Sequence, residues 1–372
     1  RMKSTGSGIA ARLARTVMAV SAGCLALASA AYAEDAPQVQ VDANGTVHTP
    51  PLSVPVSSFL SPEGKAYLAD HLQALKDPER KRPVPEQGNM PAFLMPYLKR
   101  MKEVYAVDRQ DVSIKGVPAY VYTPKAGVAR ENAGRVLINL HGGGFAVCFP
   151  GCAEMESIPV AATGGFKVIS LDYREGPDNR FPAASEDVAA VYRELLKTYK
   201  PENIGIYGCS AGGLLTAMSV AWFQTHDLPR PGAIGIFCAG LSVRDVLDGG
   251  DANYFAYPLG EARFAAPVPP AGTPYFTTGY LAGVNVDDPL VSPRASMDVL
   301  KKFPPTLFIT GTRGMEMSSA AHAQNQLVKA GVETELHVWD GMFHGFFYNP
   351  DVPESREAYD VMVNFFRKHL GK

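Results

Sequence analysis

Short apolar runs alternate with longer stretches of helical periodicity through the middle and C-terminal parts of the chain. Residues 136–140, 167–171, 204–207, 233–239, 306–310 and 333–339 read as strands, and residues 153–162, 186–197, 214–224, 320–330 and 356–370 as helices. Strands that are apolar throughout need cover on both faces, so the pattern predicts an α/β fold with a largely parallel sheet between helices. Upstream, residues 111–114 and 119–122, parted by Gly116 and Pro118, read as a hairpin. Ser61-Pro62-Glu63 makes a helix start, after which Tyr67, Leu68, His71, Leu72 and Leu75 share one face. A second helical stretch spans residues 92–105. These helices precede any expected strand and are assigned to a cover over the sheet. The rhythm breaks at residues 241–302, rich in Gly, Pro and aromatics, a length that suits a substrate-facing lid better than a spacer.

Composition changes this picture at the edges. The 372 residues are 46% hydrophobic with a formal net charge of −2. That supplies a substantial core and gives no excess charge to hold nucleic acid or an anionic membrane. Lys3, Arg12 and Arg15 precede an apolar run from Val17 to Ala31, and Ala31-Tyr32-Ala33 is a small-x-small cleavage site. Residues 1–33 therefore read as a secretory signal peptide, implying a periplasmic or secreted protein without stable membrane insertion after cleavage. Cys24 as a lipoprotein site is the lesser reading. Cys148, Cys152, Cys209 and Cys238 would then meet an oxidising compartment, but a chain of this size does not require disulfides and no pairing follows. No cysteine–histidine spacing matches a metal site, and no cofactor is expected.

The chemistry centres on Gly208-Cys209-Ser210-Ala211-Gly212 after the strand at 204–207. Gly-x-Ser-x-Gly between a strand and a helix is a nucleophile elbow, in which glycines remove the Cβ atoms that a sharp turn would bring together. Cys209, beside the serine, reads as a small packed residue. A serine needs a base, and the oxygen it attacks needs donors. His141-Gly142-Gly143-Gly144-Phe145 follows the strand at 136–140 and can turn backbone N–H groups towards a ligand. No Lys-Ser/Thr follows it, which argues against a phosphate loop.

These stretches, with Asp172-Tyr173-Arg174, Pro177, Phe181-Pro182-Ala183, Asp187, the run Asp288 to Pro293 and Gly341-Met342-Phe343-His344-Gly345-Phe346, resemble the bacterial hormone-sensitive-lipase-like (family IV) esterases of the α/β-hydrolase superfamily. The likeness covers residues 110 to 370. It implies a serine carboxylesterase, with Ser210 as nucleophile, His344 as base, and Gly143, Gly144 and Ala211 supplying the oxyanion-hole N–H groups. It also implies that the helices within residues 34–110 form a cap on a catalytic domain spanning 111–372. His344 also stands out by position, in a Gly-flanked loop between the last strand and the last helix.

The acid departs from the pattern. After the strand at 306–310, Gly314 stands where the resemblance leads one to expect Asp, and Glu316 follows two residues later. Glu316 keeps the order Ser, acid, His and is the candidate; Asp287, Asp288, or no effective acid are the alternatives. The expected substrate is a small-molecule, short-chain acyl ester, because Tyr254, Phe255, Tyr257, Phe264, Tyr275 and Phe276 suggest an enclosed pocket. A longer-chain lipase, a peptidase and a non-catalytic binding protein are the rival readings, and assembly into a homo-oligomer is left open.

Overall fold

The computed structural model describes residues 39–51, 53–248, 250–256 and 275–371. The expected signal segment, and Tyr257 and Phe264 of the insertion, lie outside them. Residues 1–55 and 56–372 are separate compact units. In the first, Gln40–Val41 pairs antiparallel with Val47–His48. Among the described residues no helix is long and apolar enough to cross a membrane.

The second unit is built on one sheet of eight strands: β1 (Val107–Ile114), β2 (Val117–Pro124), β3 (Val136–Leu140), β4 (Val168–Leu171), β5 (Ile204–Cys209), β6 (Ala233–Phe237), β7 (Thr306–Gly311) and β8 (Thr334–Trp339). Their order across the sheet is β8-β7-β6-β5-β3-β4-β2-β1. The β1–β2 hairpin and the β2–β4 pair are antiparallel, and the remaining neighbours are parallel. β1 begins four residues before the expected start, at Val107 rather than Asp111. After Val107, Asp108, Arg109 and Gln110 are polar and exposed, so their pairing with β2 leaves no apolar signature.

Longer helices cover both faces: α1 (Pro62–Ala74), α2 (Met95–Val104), α3 (Gly151–Gly164), α4 (Ala183–Leu195), α5 (Ala211–Gln224), α6 (Met317–Lys329) and α7 (Pro353–His369). Ile138, Ile206 and Ile236 pack with α4, α5 and α6 on one side. Leu137, Tyr207 and Phe237, the alternate positions, pack with α1, α2, α3 and α7 on the other. Every residue of β3 is buried, as a strand between two helical layers must be.

The N-terminal stretch differs from expectation in one respect. The short pair Pro83–Val84 and Met90–Pro91 precedes β1, so strands do occur among them. α1 docks on α7 and against the loop after β8. The Ser61 backbone N–H and Oγ donate to Glu354 at 2.7 and 2.8 Å. Tyr67 and His71 lie on the Phe343 ring. In the insertion, Val243–Asp248 and Asp251–Ala256 are short helices. Tyr254 and Phe255 are 65% and 67% exposed.

Candidate active site

The loops that follow β3, β5, β7 and β8 meet at one end of the sheet, outside the carboxyl ends of the strands, where open α/β sheets place their ligands. β5 leads into Ser210, which adopts φ 57° and ψ −120° before α5 begins at Ala211. Such a conformation is strained for a residue with a side chain, and neighbours must hold it. The Ser210 N–H donates to the Phe237 carbonyl at 2.8 Å, and the Ser210 carbonyl accepts from Leu214 N at 3.1 Å. The flanking glycines are required by contact: a Cβ would lie 2.2 Å from the Leu140 carbonyl oxygen at Gly208 and 1.7 Å from it at Gly212. α5 thus begins earlier than periodicity suggests, because the glycines that look like a turn are already its first turn.

Gly143 and Gly144 have φ of +124° and +67°. A Cβ on Gly143 would sit 1.8 Å from the Val147 carbonyl oxygen, so this position too is closed to side chains. Gly143, Gly144, Ser210 and Ala211 line a cavity of about 410 Å³ whose other walls include Leu214, Val246, Leu247, Phe276 and Met315. Ala211 lies in the first turn of α5, where N–H groups have no partner inside the helix. Among the described residues, those that line it come from the glycine loop, the elbow, the 241–302 insertion and the loop before α6.

His344 lies in the loop after β8. Its Nδ1 is 2.9 Å from Glu316 Oε2; since a carboxylate only accepts, the ring nitrogen is the donor. Glu316 is fully buried, and its Oε1 accepts from Thr310 Oγ1 at 2.8 Å. Burial alone would raise the carboxyl pKa, but the His344 ring and Thr310 outweigh it and hold the group below its ordinary value. The Gly345 N–H donates to Cys238 Sγ at 3.2 Å, and that sulfur, a Glu316 oxygen and a His344 ring nitrogen lie within 4.8 Å of one another. Cys238 directly follows Phe237, the residue that anchors Ser210. Burial, above all, pushes the Cys238 thiol well above its ordinary pKa, so it props the histidine loop as a neutral S–H.

The two other acid candidates lie elsewhere. Asp287 faces Arg244 and Arg294 at 3.5 and 3.9 Å, and Asp288 Oδ1 accepts from Leu290 N in its own turn. Cys148 and Cys152 form a disulfide just beyond the glycine loop, whereas Cys209 and Cys238 are free and buried. Sequence reasoning missed Thr310 and Glu156. The latter accepts hydrogen bonds from the Gly142 and Cys209 N–H groups, and its one signal, a glutamate in a mostly apolar helix, is shared with Glu154.

Residues 137–348 match the family described as alpha/beta hydrolase fold. The chain is 30% identical over 259 residues to an acetyl-hydrolase of Streptomyces hygroscopicus, covering 66% of this chain and 79% of that protein. It is 30% identical over 248 residues to the carboxylesterase/phospholipase LipF of Mycobacterium tuberculosis, covering 64% and 63%. A solved esterase from the bacterial hormone-sensitive lipase (HSL) family superposes with a TM-score of 0.68 at 26% identity, over 84% of this chain and 99% of that one. Esterase E25 does so with a TM-score of 0.68 at 26% identity, over 87% and 98%.

Proposed function

The chain belongs to the alpha/beta hydrolase fold family, among its bacterial hormone-sensitive-lipase-like (family IV) esterases, and from that premise we propose that it hydrolyses short-chain carboxylic esters through an acyl-enzyme on Ser210. Ser210 Oγ attacks the ester carbonyl while His344 takes its proton, and Glu316 holds the ring in the right tautomer and stabilises the imidazolium. The N–H groups of Gly143, Gly144 and Ala211 receive the oxyanion, each such donor being worth roughly 3–4 kcal/mol in the transition state. His344 then hands its proton to the leaving alcohol, and water repeats the attack on the acyl-serine.

The observation that carries this reading is the fully buried Glu316 carboxylate, 2.9 Å from His344 Nδ1. A buried carboxylate whose charged partner is a histidine ring is expensive unless that ring gains a proton during the reaction. Short acyl chains are supported by the size of the apolar cavity beside Ser210 and by the likeness to an acetyl-hydrolase. Export, with cleavage after Ala33, is supported by the basic-then-apolar start and by the Cys148–Cys152 disulfide, which suits an oxidising compartment.

Rates on p-nitrophenyl acetate, butyrate and palmitate, for wild type and Ser210→Ala, test the proposal. Acetate or butyrate should be fastest, Ser210→Ala should be inactive, and an organophosphate should label Ser210. A Ser210→Ala protein at the wild-type rate rejects the mechanism, and a preference for palmitate turns the reading to a lipase.

A further inference from the structure

Glu156 sits in α3 at 4% exposure, and the contacts of its carboxylate are neutral donors. Oε1 accepts from the Gly142 N–H and from the Tyr348 hydroxyl, both at 2.9 Å. Oε2 accepts from Asn139 Nδ2 at 2.9 Å and, at 3.4 Å, from the Cys209 N–H. The Asn139 amide is itself oriented, its Oδ1 accepting from Ser170 Oγ at 2.6 Å. Gly142 immediately precedes Gly143, Cys209 immediately precedes Ser210, and Tyr348 follows His344 by one turn of chain. One carboxylate therefore touches the oxyanion loop, the elbow and the histidine loop.

We propose that Glu156 is a positioning residue that fixes the mutual spacing of these three loops, an inference that rests on reading Ser210, His344 and the glycine loop as the catalytic set. Two of its bonds go to peptide N–H groups, and a peptide group held in one orientation aims the next residue. A group kept for stability alone would more economically be apolar or paired with a cation. Burial instead pushes the Glu156 carboxyl up to about 7, even with Asn139, Gly142, Tyr348 and Cys209 bonded to it. An amide of the same shape cannot do the same work. Whichever way Gln is placed, its NH₂ points at donors, either Gly142 N–H or the Asn139–Cys209 pair, so one tether is lost while volume and burial stay.

Glu156→Gln and Glu156→Ala are to be compared with wild type on p-nitrophenyl butyrate, with rates normalised to the sites titrated by an organophosphate. For Glu156→Gln we expect kcat to fall on the order of tenfold or more with KM within about twofold, since misplacement of reacting groups acts on the transition state. Affinity for a trifluoromethyl ketone should fall by the same factor as kcat/KM. A role confined to folding would lower the melting temperature or the titratable fraction and leave the normalised kcat alone, and that result overturns the proposal. If Glu156→Ala fails to fold, Tyr348→Phe, which cuts the tether to the histidine loop, replaces it: a lowered kcat at unchanged KM supports the role and an unchanged kcat counts against it. Ser210→Ala, run alongside, separates the two levels. Inactivity there with a normal Glu156→Gln overturns only the positioning role, whereas an active Ser210→Ala overturns both.

Discussion

A Cβ built on Gly314 would lie 2.5 Å from Oε1 of Glu316. The position where the resemblance leads one to expect an aspartate is empty because the glutamate two residues on fills that space with its own carboxylate. The longer side chain reaches His344 Nδ1 from a different point on the same loop. Glu316→Ala should therefore lower kcat on the order of 10³- to 10⁴-fold, as loss of the orienting acid does elsewhere. Gly314→Asp placed in the Glu316→Ala background should recover part of that loss, because the space is then free. Steady-state kinetics on the two variants checks this; an inert double variant would mean that the loop cannot present an acid from position 314.

Glu156 also makes a stability prediction. Its pKa is raised from 4.5 to about 7 in the fold, so the folded state binds the proton more tightly than the unfolded one. The sign follows directly: this contribution is full below about pH 4.5 and is lost as pH rises to about 7, roughly 3 kcal/mol in all. The titratable groups facing it are Tyr348, Tyr207, Tyr173 and Cys209; burial raises the three tyrosines well above their ordinary values, so they stay neutral over this range. Urea unfolding of wild type and Glu156→Gln across pH 4.5 to 8 should show wild type losing stability relative to the variant as pH rises. A constant difference would mean that the carboxyl does not titrate there.

The two kinds of glycine at the site should respond differently to alanine. Gly212→Ala drives a Cβ into the Leu140 carbonyl, a backbone group that cannot swing aside, and should cost more than about 4 kcal/mol or prevent folding. At Gly144 a Cβ would meet nothing within 4 Å, and φ of +67° is the remaining difficulty. Gly144→Ala should fold with a loss of about 1–2 kcal/mol. Thermal melts of the two proteins distinguish them.

The Cys148–Cys152 bridge closes a loop with a sequence separation of four. Chain entropy for so short a loop gives about 2 kcal/mol. Val147, next to the bridge, donates its N–H to the Gly143 carbonyl at 3.2 Å. Reduction by dithiothreitol should therefore lower the melting temperature by a few degrees and slow ester turnover, and Cys148→Ser/Cys152→Ser should reproduce both without reductant.

Much of this was legible in the chain. β3 could be read because all five of its positions are buried, and buried strands write themselves as apolar runs. The elbow and the glycine loop could be read because close backbone contacts at Gly208, Gly212 and Gly143 leave only glycine. Glu156 could not. Glu154 and Glu156 stand two apart in one apolar helix and look alike, yet Glu154 meets Lys102 and Arg109 at 2.6 and 3.1 Å as an ordinary ion pair. Helical rotation sends the other towards the loops, and nothing local says that peptide donors wait there. The docking of α1 was hidden for a related reason, since Glu354 and Phe343, which receive it, lie far along the chain.

Three loops fastened to one buried carboxylate also govern how the site fails under heat. Local opening usually begins in loops that can detach singly at little free-energy expense. Here the oxyanion loop, the elbow and the histidine loop each carry a bond to a residue inside α3, itself packed between the sheet and α7. Releasing one leaves a buried carboxyl short of a donor. Warming should leave activity intact until the sheet itself melts, so that the inactivation curve and the unfolding curve fall together.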